Sequence, residues 1–366
     1  QPLADDLVLE KDKNELSISY PIKIYHCRSC MLLQNNYIVS DKKLYSEKYH
    51  YRPGISKTVE RNLENLAKNL ISLYKLNKQD LIVDIGCSDG TLLGAFKKFG
   101  YKNVVGVEPT GTYKFTKQKK IQVINDFFNN KSANKILEKY GKAKLVTTTN
   151  VFAHTGELKE FIQGLNKILD RDSVFVVENH YLKEIIEKLQ FDSFYHEHLR
   201  TYSLKSLIRL MKYYNLNIID AYTTERYNGN IQAHFSKQKI PINKRIKNIL
   251  NNEKKSKLDK TITYEKFMSK IQIARNDLEK FLMKNKNLNI VGKAFPARAA
   301  VILNYFSYLK NYIKFIAEQP TSLKLNHYIS GTNIKILNSD FLKKTQPDII
   351  IIFAWHLFKE IKQKWK

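Results

Sequence analysis

An apolar run, Leu81-Ile-Val-Asp-Ile85, leads into the turn Gly86-Cys-Ser-Asp-Gly90 and then a helical stretch over residues 91–99. This junction constrains the fold more than any other segment. A near-continuous apolar strand is buried on both faces, which requires helices on both sides of its sheet. Val104-Val-Gly-Val107, Lys144-Leu-Val-Thr-Thr148 and Val174-Phe-Val-Val177 repeat the signal, with helical stretches between them. The rhythm predicts an α/β fold with a doubly wound parallel sheet.

The rhythm stops over residues 237–286, which hold fifteen Lys or Arg against five Asp or Glu and no Gly. Phe267, Ile271, Ala274, Leu278 and Phe281 fall there at helical spacing. That pattern predicts amphipathic helices with a solvated Lys face and a buried stripe of these five residues. Strand signals then resume at Leu288-Asn-Ile-Val291, residues 312–317 and residues 348–353, with a helix over 298–306. The expected organisation is residues 1–50 as an N-terminal unit, 51–236 as the first α/β domain, 237–286 as a helical connection, and 287–366 as a second, smaller α/β domain.

Composition narrows the function. The chain of 366 residues carries 62 Lys or Arg against 35 Asp or Glu, a net +27. The excess is spread through a Lys-rich chain and no basic-aromatic motif accompanies it, so neither nucleic acid nor a membrane is expected as partner. No apolar stretch nears the ~18 residues of a membrane span, and no signal-peptide pattern is present. With only Cys27, Cys30 and Cys87, a disulfide framework is excluded and a reducing cytoplasm is the expected setting.

The turn suggests its ligand. Gly86 and Gly90 let the backbone approach a bound molecule closely. A dinucleotide fold takes G-x-G-x-x-G at this place, to seat a pyrophosphate. Here the spacing is G-x-x-x-G, and Asp84 and Asp89 would repel an anion. They suit a ligand bearing an ammonium and a sulfonium, namely S-adenosylmethionine. Glu108, ending the next strand, is placed to accept two ribose hydroxyls. Asp126, before Phe127, is placed to meet the adenine. Two clusters then offer proton chemistry. Asn150-Val-Phe-Ala-His154 follows the strand at 144–148, and Tyr195-His-Glu-His198 follows later. Neutral His removes protons near pH 7, and an adjacent acid or Tyr orients it. His-x-His is also a metal-ligand spacing, but no third ligand accompanies it.

These segments together resemble the S-adenosylmethionine-dependent sugar C-methyltransferases. The likeness runs through Gln1-Pro-Leu-Ala4, Cys27-Arg-Ser-Cys30, residues 84–93, 150–154, 195–198, 292–305, 324–332 and 347–355. It implies a central class I methyltransferase sheet, a small N-terminal zinc-type domain, incomplete here, and a C-terminal Rossmann-like domain. It implies C-methylation at carbon 3 of a nucleotide-linked 4-keto-6-deoxy sugar, as in deoxysugar biosynthesis. By position His198 is the base, with Glu197, Tyr195, His154, Asn150 and Tyr51 around it; Tyr195 or His154 would steady the developing oxyanion. Arg298 and Lys324 are the candidate pyrophosphate contacts. Cys27 and Cys30 match half of a four-cysteine structural zinc site, whose other half is expected upstream of Gln1.

The chain departs from that pattern in several places. Asn228-Gly-Asn-Ile-Gln232 replaces a Gly-Gly-Ser-x-Arg segment and loses its cation. Gly292-Lys-Ala-Phe-Pro-Ala-Arg-Ala299 has bulkier residues than usual, and His356 stands where Asn is common. Three other readings therefore stay open: O- or N-methylation of a related small molecule, a non-catalytic family member, and a nucleic-acid binder.

Overall fold

A computed structural model describes residues 1–4, 6–12, 18–45, 47, 49 and 51–363. Seven strands form the central sheet: β1 (Ile82–Ile85), β2 (Val104–Val107), β3 (Gln122–Ile124), β4 (Ala143–Thr149), β5 (Leu169–His180), β6 (Asn217–Thr224) and β7 (Asn230–Ser236). Their order is β6-β7-β5-β4-β1-β2-β3. Neighbours from β5 to β3 are parallel, while β7 lies antiparallel between β5 and β6. Every residue of β1 and β2 is buried, as strands covered by helices on both faces must be. The helices Lys57–Tyr74 and Thr91–Lys98 pack on one face, and Asn130–Tyr140 and Leu158–Ile168 on the other.

The second sheet contains β8 (Ile290–Lys293), β9 (Phe315–Glu318), β10 (Tyr328–Ile329), β11 (Lys335–Asn338) and β12 (Ile349–Ile352). Strands β11, β9, β8 and β12 run parallel. Its far edge is completed by the N-terminal strand Leu7–Val8, antiparallel to β10. A hairpin, Ile24–His26 and Leu33–Asn35, pairs with Arg200–Thr201 immediately after His198. The N-terminal segment thus makes one hairpin of its own and pairs with later parts of the chain at two places, Leu7–Val8 and Leu33–Gln34.

Helices Lys244–Lys255 and Thr261–Lys284 occupy the Lys-rich stretch. The expected apolar stripe needs correction at Ala274, which is exposed, and at its end. Phe267 and Ile271 are buried, but Phe281 is 49% exposed and Leu282 is fully buried. A strict seven-residue pattern drifts by about 20° per heptad on a straight helix. By the last turn, Leu282 has rotated onto the core in place of Phe281.

The segment containing Tyr195 lies between the two α/β units. Phe191 stacks on Phe306 and Phe194 meets Phe267 edge-on. Both partners belong to the C-terminal half, so packing there fixes the backbone that carries His198.

Candidate active site

Where β1, β2 and β4 end, the chain opens a cavity of about 800 Å³. Asp84, the third residue of β1, is in register with Gly106 and Thr147. Thr147 Oγ1 donates to its Oδ1 at 2.7 Å. Burial lifts Asp84 to about 7, opposed by that hydrogen bond and raised further by Glu108. Gly86 has φ +72°, and a Cβ there would stand 2.4 Å from Val151 Cγ2; only glycine fits. Cys87 fills the hollow over Gly106, where a Cβ would meet its Sγ at 2.4 Å. Burial raises the Cys87 thiol well above its ordinary value, in keeping with a packing role.

Glu108 is held by three donors: Ser88 N at 2.8 Å on one oxygen, and Thr110 N at 2.8 Å and Thr110 Oγ1 at 2.6 Å on the other. Burial nevertheless raises its carboxyl. A carboxylate has about four lone-pair sites, so a bound diol can still be accepted. Asp84, Gly86, Glu108 and Phe127 line the cavity. Asp89, Gly90 and Asp126 are not among the lining residues. Asp89 accepts from Thr91 Oγ1 at 2.6 Å and Gly54 N at 3.0 Å, capping the helix behind the turn. Asp126 accepts from Phe127 N at 2.9 Å and faces Lys135 at 3.7 Å. Both shape the wall from outside it.

The other half of the cavity is a nest of imidazoles and phenols. Its wall includes Tyr45, Tyr49, Tyr51, Asn150, His154, His180, Tyr195, His198, Tyr227 and His356. His198 Nδ1 is 2.7 Å from the Ser193 carbonyl. A carbonyl only accepts, so Nδ1 carries the hydrogen and Nε2 keeps its lone pair. The His198 ring lies 4.2 Å from Tyr195, 4.9 Å from His154 and 4.9 Å from His180, centroid to centroid. His154 Nδ1 pairs with Tyr45 Oη at 2.8 Å, and Glu197 Oε2 approaches it at 4.0 Å. Tyr49 donates to Glu197 at 3.4 Å. Glu197 is buried behind the cavity wall. Asn150, at φ +54°, accepts from Asn230 at 3.2 Å. Burial drives His198 and His180 well below their ordinary pKa, and lowers His154 and His356 to about 4. All four are neutral at physiological pH.

Arg298 lines the cavity but is committed elsewhere. Its Nε is 3.1 Å from Asp192 Oδ2, which also accepts from Trp355 Nε1 at 2.9 Å. Its Nη2 donates to Ser193 Oγ. The guanidinium is 8% exposed and supports the residue whose carbonyl orients His198. Its Nη1 is buried without a hydrogen-bond partner among the described residues, so the pairing with Asp192 leaves a donor available to a pyrophosphate. Lys324 also lines the cavity, with Nζ donating to the Phe295 carbonyl at 3.1 Å.

The cation missing at position 232 is supplied by another residue. Buried Glu178 accepts from Asn230 at 2.9 Å, Gln232 at 3.0 Å and Arg226 at 3.5 Å. Sequence reasoning missed Tyr45, His180, Arg226 and Tyr227. No local pattern marks them, because each reaches the cavity from a distant segment.

Cys27 and Cys30 adjoin in a tight turn of the hairpin, where hydrogen bonds from the Cys30 side lower Cys27 and burial raises Cys30. Among the described residues no group of three or more His, Cys, Asp or Glu could hold a metal. Two thiols do not make the four-ligand closed site that structural zinc requires. Among the described residues no helix is long and apolar enough to cross a membrane.

Known proteins share these features. Residues 50–221 match the family described as methyltransferase domain, and residues 227–366 match the C-methyltransferase C-terminal domain. The C-methyltransferase NovU of Streptomyces niveus is 24% identical over 365 residues, covering 98% of this chain and 86% of its own. Among solved structures, magnesium protoporphyrin IX methyltransferase of Synechocystis PCC 6803 with bound S-adenosylhomocysteine aligns with TM-score 0.38. It is 13% identical, over 49% of this chain and 83% of its own. An S-adenosylmethionine-dependent methyltransferase from Clostridium acetobutylicum gives TM-score 0.38 and 16% identity, over 48% and 91%. The acidic, glycine-opened half of the cavity fits S-adenosylmethionine as methyl donor. With a methyltransferase domain followed by a C-methyltransferase C-terminal domain, the chain is an S-adenosylmethionine-dependent methyltransferase, similar along nearly its whole length to a C-methyltransferase.

Proposed function

We propose that this enzyme methylates carbon 3 of a nucleotide-linked 4-keto-6-deoxy sugar, with His198 as the base. The observation that carries the reading is the His198 tautomer: the Ser193 carbonyl holds the hydrogen on Nδ1, so Nε2 is free to take a proton. A carbon-bound hydrogen is acidic enough for imidazole only beside a carbonyl, where the electron pair it leaves passes into the ketone oxygen. His198 Nε2 accepts that proton, the C–H pair becomes a carbon–carbon double bond, and the carbonyl pair moves onto oxygen. S-adenosylmethionine, held by Asp84, Gly86, Glu108 and Phe127, would supply the electrophilic methyl group that the nucleophilic carbon needs.

Burial alone leaves His198 a weak base. An enolate beside the new imidazolium reverses this, because opposite charges attract strongly where water is excluded. Asp84, Gly86, Glu108 and Phe127 would hold the methyl donor on one side of the cavity. Tyr195, His154, Asn150 and Lys324 would surround the sugar on the other. Both reactants then share one wall, which supplies the proximity that a bimolecular transfer lacks.

The test uses a panel of nucleoside-diphosphate-linked 4-keto-6-deoxyhexoses in D2O, with S-adenosylhomocysteine bound so that no methyl can transfer. The native enzyme should exchange the carbon 3 hydrogen, and His198→Ala should cut exchange by ~10²–10⁴-fold with S-adenosylhomocysteine affinity unchanged. Methyl transfer without exchange would point to O- or N-methylation instead. Retained exchange in His198→Ala would remove it as the base.

A further inference from the structure

Tyr227 is an aromatic residue in the left-handed region, φ +51° and ψ +31°, followed by Asn228 at φ +64° and Gly229 at φ +137°. Such a backbone is costly for a bulky residue and persists where surrounding contacts enforce it. Here it delivers the Tyr227 hydroxyl into the cavity against the hydroxyl of Tyr51, with which it is hydrogen-bonded. The Arg226 guanidinium lies 5.3 Å from the Tyr227 ring centre and is anchored on Glu178 at 3.5 Å.

The donor count is unbalanced. Two phenols facing each other use one hydroxyl hydrogen between them, which leaves the second for water or for a bound acceptor. Arg226 offers only donors. Among the described residues, neither phenol oxygen has a protein acceptor other than its partner. Tyr51 is 43% exposed overall, with its hydroxyl set against that of Tyr227, so this side of the wall presents two O–H donors backed by a cation. What completes it is an oxygen carrying negative charge. His180 ties the cluster to the base, its ring 5.4 Å from Tyr227 and 4.9 Å from His198.

We propose that Tyr51 and Tyr227, backed by Arg226, form the oxyanion site that receives the ketone oxygen as His198 removes the adjacent proton. This rests on the function proposed above, and moves the oxyanion donors away from Tyr195 and His154. Charge appears on that oxygen only as the C–H bond breaks, so the donors act on the transition state more than on the bound ketone.

Tyr227→Phe, Tyr51→Phe and the double variant test it; Phe keeps the ring and the backbone demand. S-adenosylhomocysteine titration checks folding and should be unaltered. Each single variant should slow both carbon 3 exchange and methyl transfer by ~10²-fold, with KM for the sugar little changed. The double variant should be only a few-fold worse than either single, since the pair acts as one donor unit. Arg226→Lys, which retains the charge on Glu178, should lose less than Arg226→Met. Exchange within threefold of native in Tyr227→Phe overturns the proposal, as do losses that multiply in the double variant or fall wholly on KM. If the native enzyme exchanges none of the sugars, the underlying reading fails, and the oxyanion site fails with it. That outcome is visible before any variant is made.

Discussion

Replacing Asp84 with Asn should stabilise the ligand-free enzyme and weaken its hold on the methyl donor. Asp84 is 3% exposed, and burial lifts its carboxyl to about 7, against about 3.9 in the unfolded chain. Below about pH 4 the group is protonated in both states and contributes nothing. Between there and about 7 the unfolded chain releases the proton while the folded chain retains it, so stability falls as pH rises. Three units at roughly 1.4 kcal/mol each make the penalty about 4 kcal/mol above pH 7. Asn keeps an acceptor for Thr147 and cannot ionise. Urea unfolding of both proteins without ligand should show the advantage of Asp84→Asn widening by about 3 kcal/mol between pH 5 and pH 8, with equal m-values. In the same samples, S-adenosylmethionine should bind the variant ~10–100-fold more weakly at pH 8, the value of a charge-assisted hydrogen bond. Native affinity should rise over pH 5 to 7 as Asp84 ionises. A stability gap that does not change with pH would refute the argument, because it would mean the carboxyl ionises as freely inside as outside.

Two further variants probe the frame around the site. Gly86→Ala should cost ~1–2 kcal/mol for the left-handed backbone and ~1–3 kcal/mol for the clash with Val151. Adding Val151→Ala should restore only the second part, read by chemical denaturation. In the helix Thr261–Lys284, Leu282→Ala should cost ~2–5 kcal/mol, whereas Phe281→Ala should stay within about 0.5 kcal/mol; equal losses would reject the observed helix face.

The parts of the fold that could be read from sequence are those governed by neighbours in the chain. Strands β1 and β2 were legible because burial on both faces leaves almost only apolar residues. The methyl-donor turn was legible because its glycines and acids are adjacent. His198 stood out beside Glu197 and Tyr195. Tertiary packing decided the rest. The partners of Asp89, the backbone of Gly54 and the hydroxyl of Thr91, were not legible, because Gly54 lies on a distant segment. Nor was the pairing of Arg298 with Asp192, which lies over a hundred residues earlier. Arg226 and Tyr227 belong to a short turn between β6 and β7 with no helical or strand period, so only the antiparallel return of β7 brings them beside Tyr51. The Phe281 and Leu282 exchange turns on a rotation of less than one residue, which apolar spacing alone does not resolve.

The Leu7–Val8 strand also has a consequence for how the chain is made. Tyr328 of β10 donates to Glu10 at 3.0 Å across a separation of 318 residues. At about 5–20 residues per second of synthesis, that partner emerges roughly 15–60 s after Glu10. The central sheet can assemble meanwhile, while the N-terminal strand waits with its backbone groups unpaired. The last step in closing the second sheet is therefore the return of a strand made some three hundred residues earlier, and mispairing in that interval is the folding hazard this topology carries.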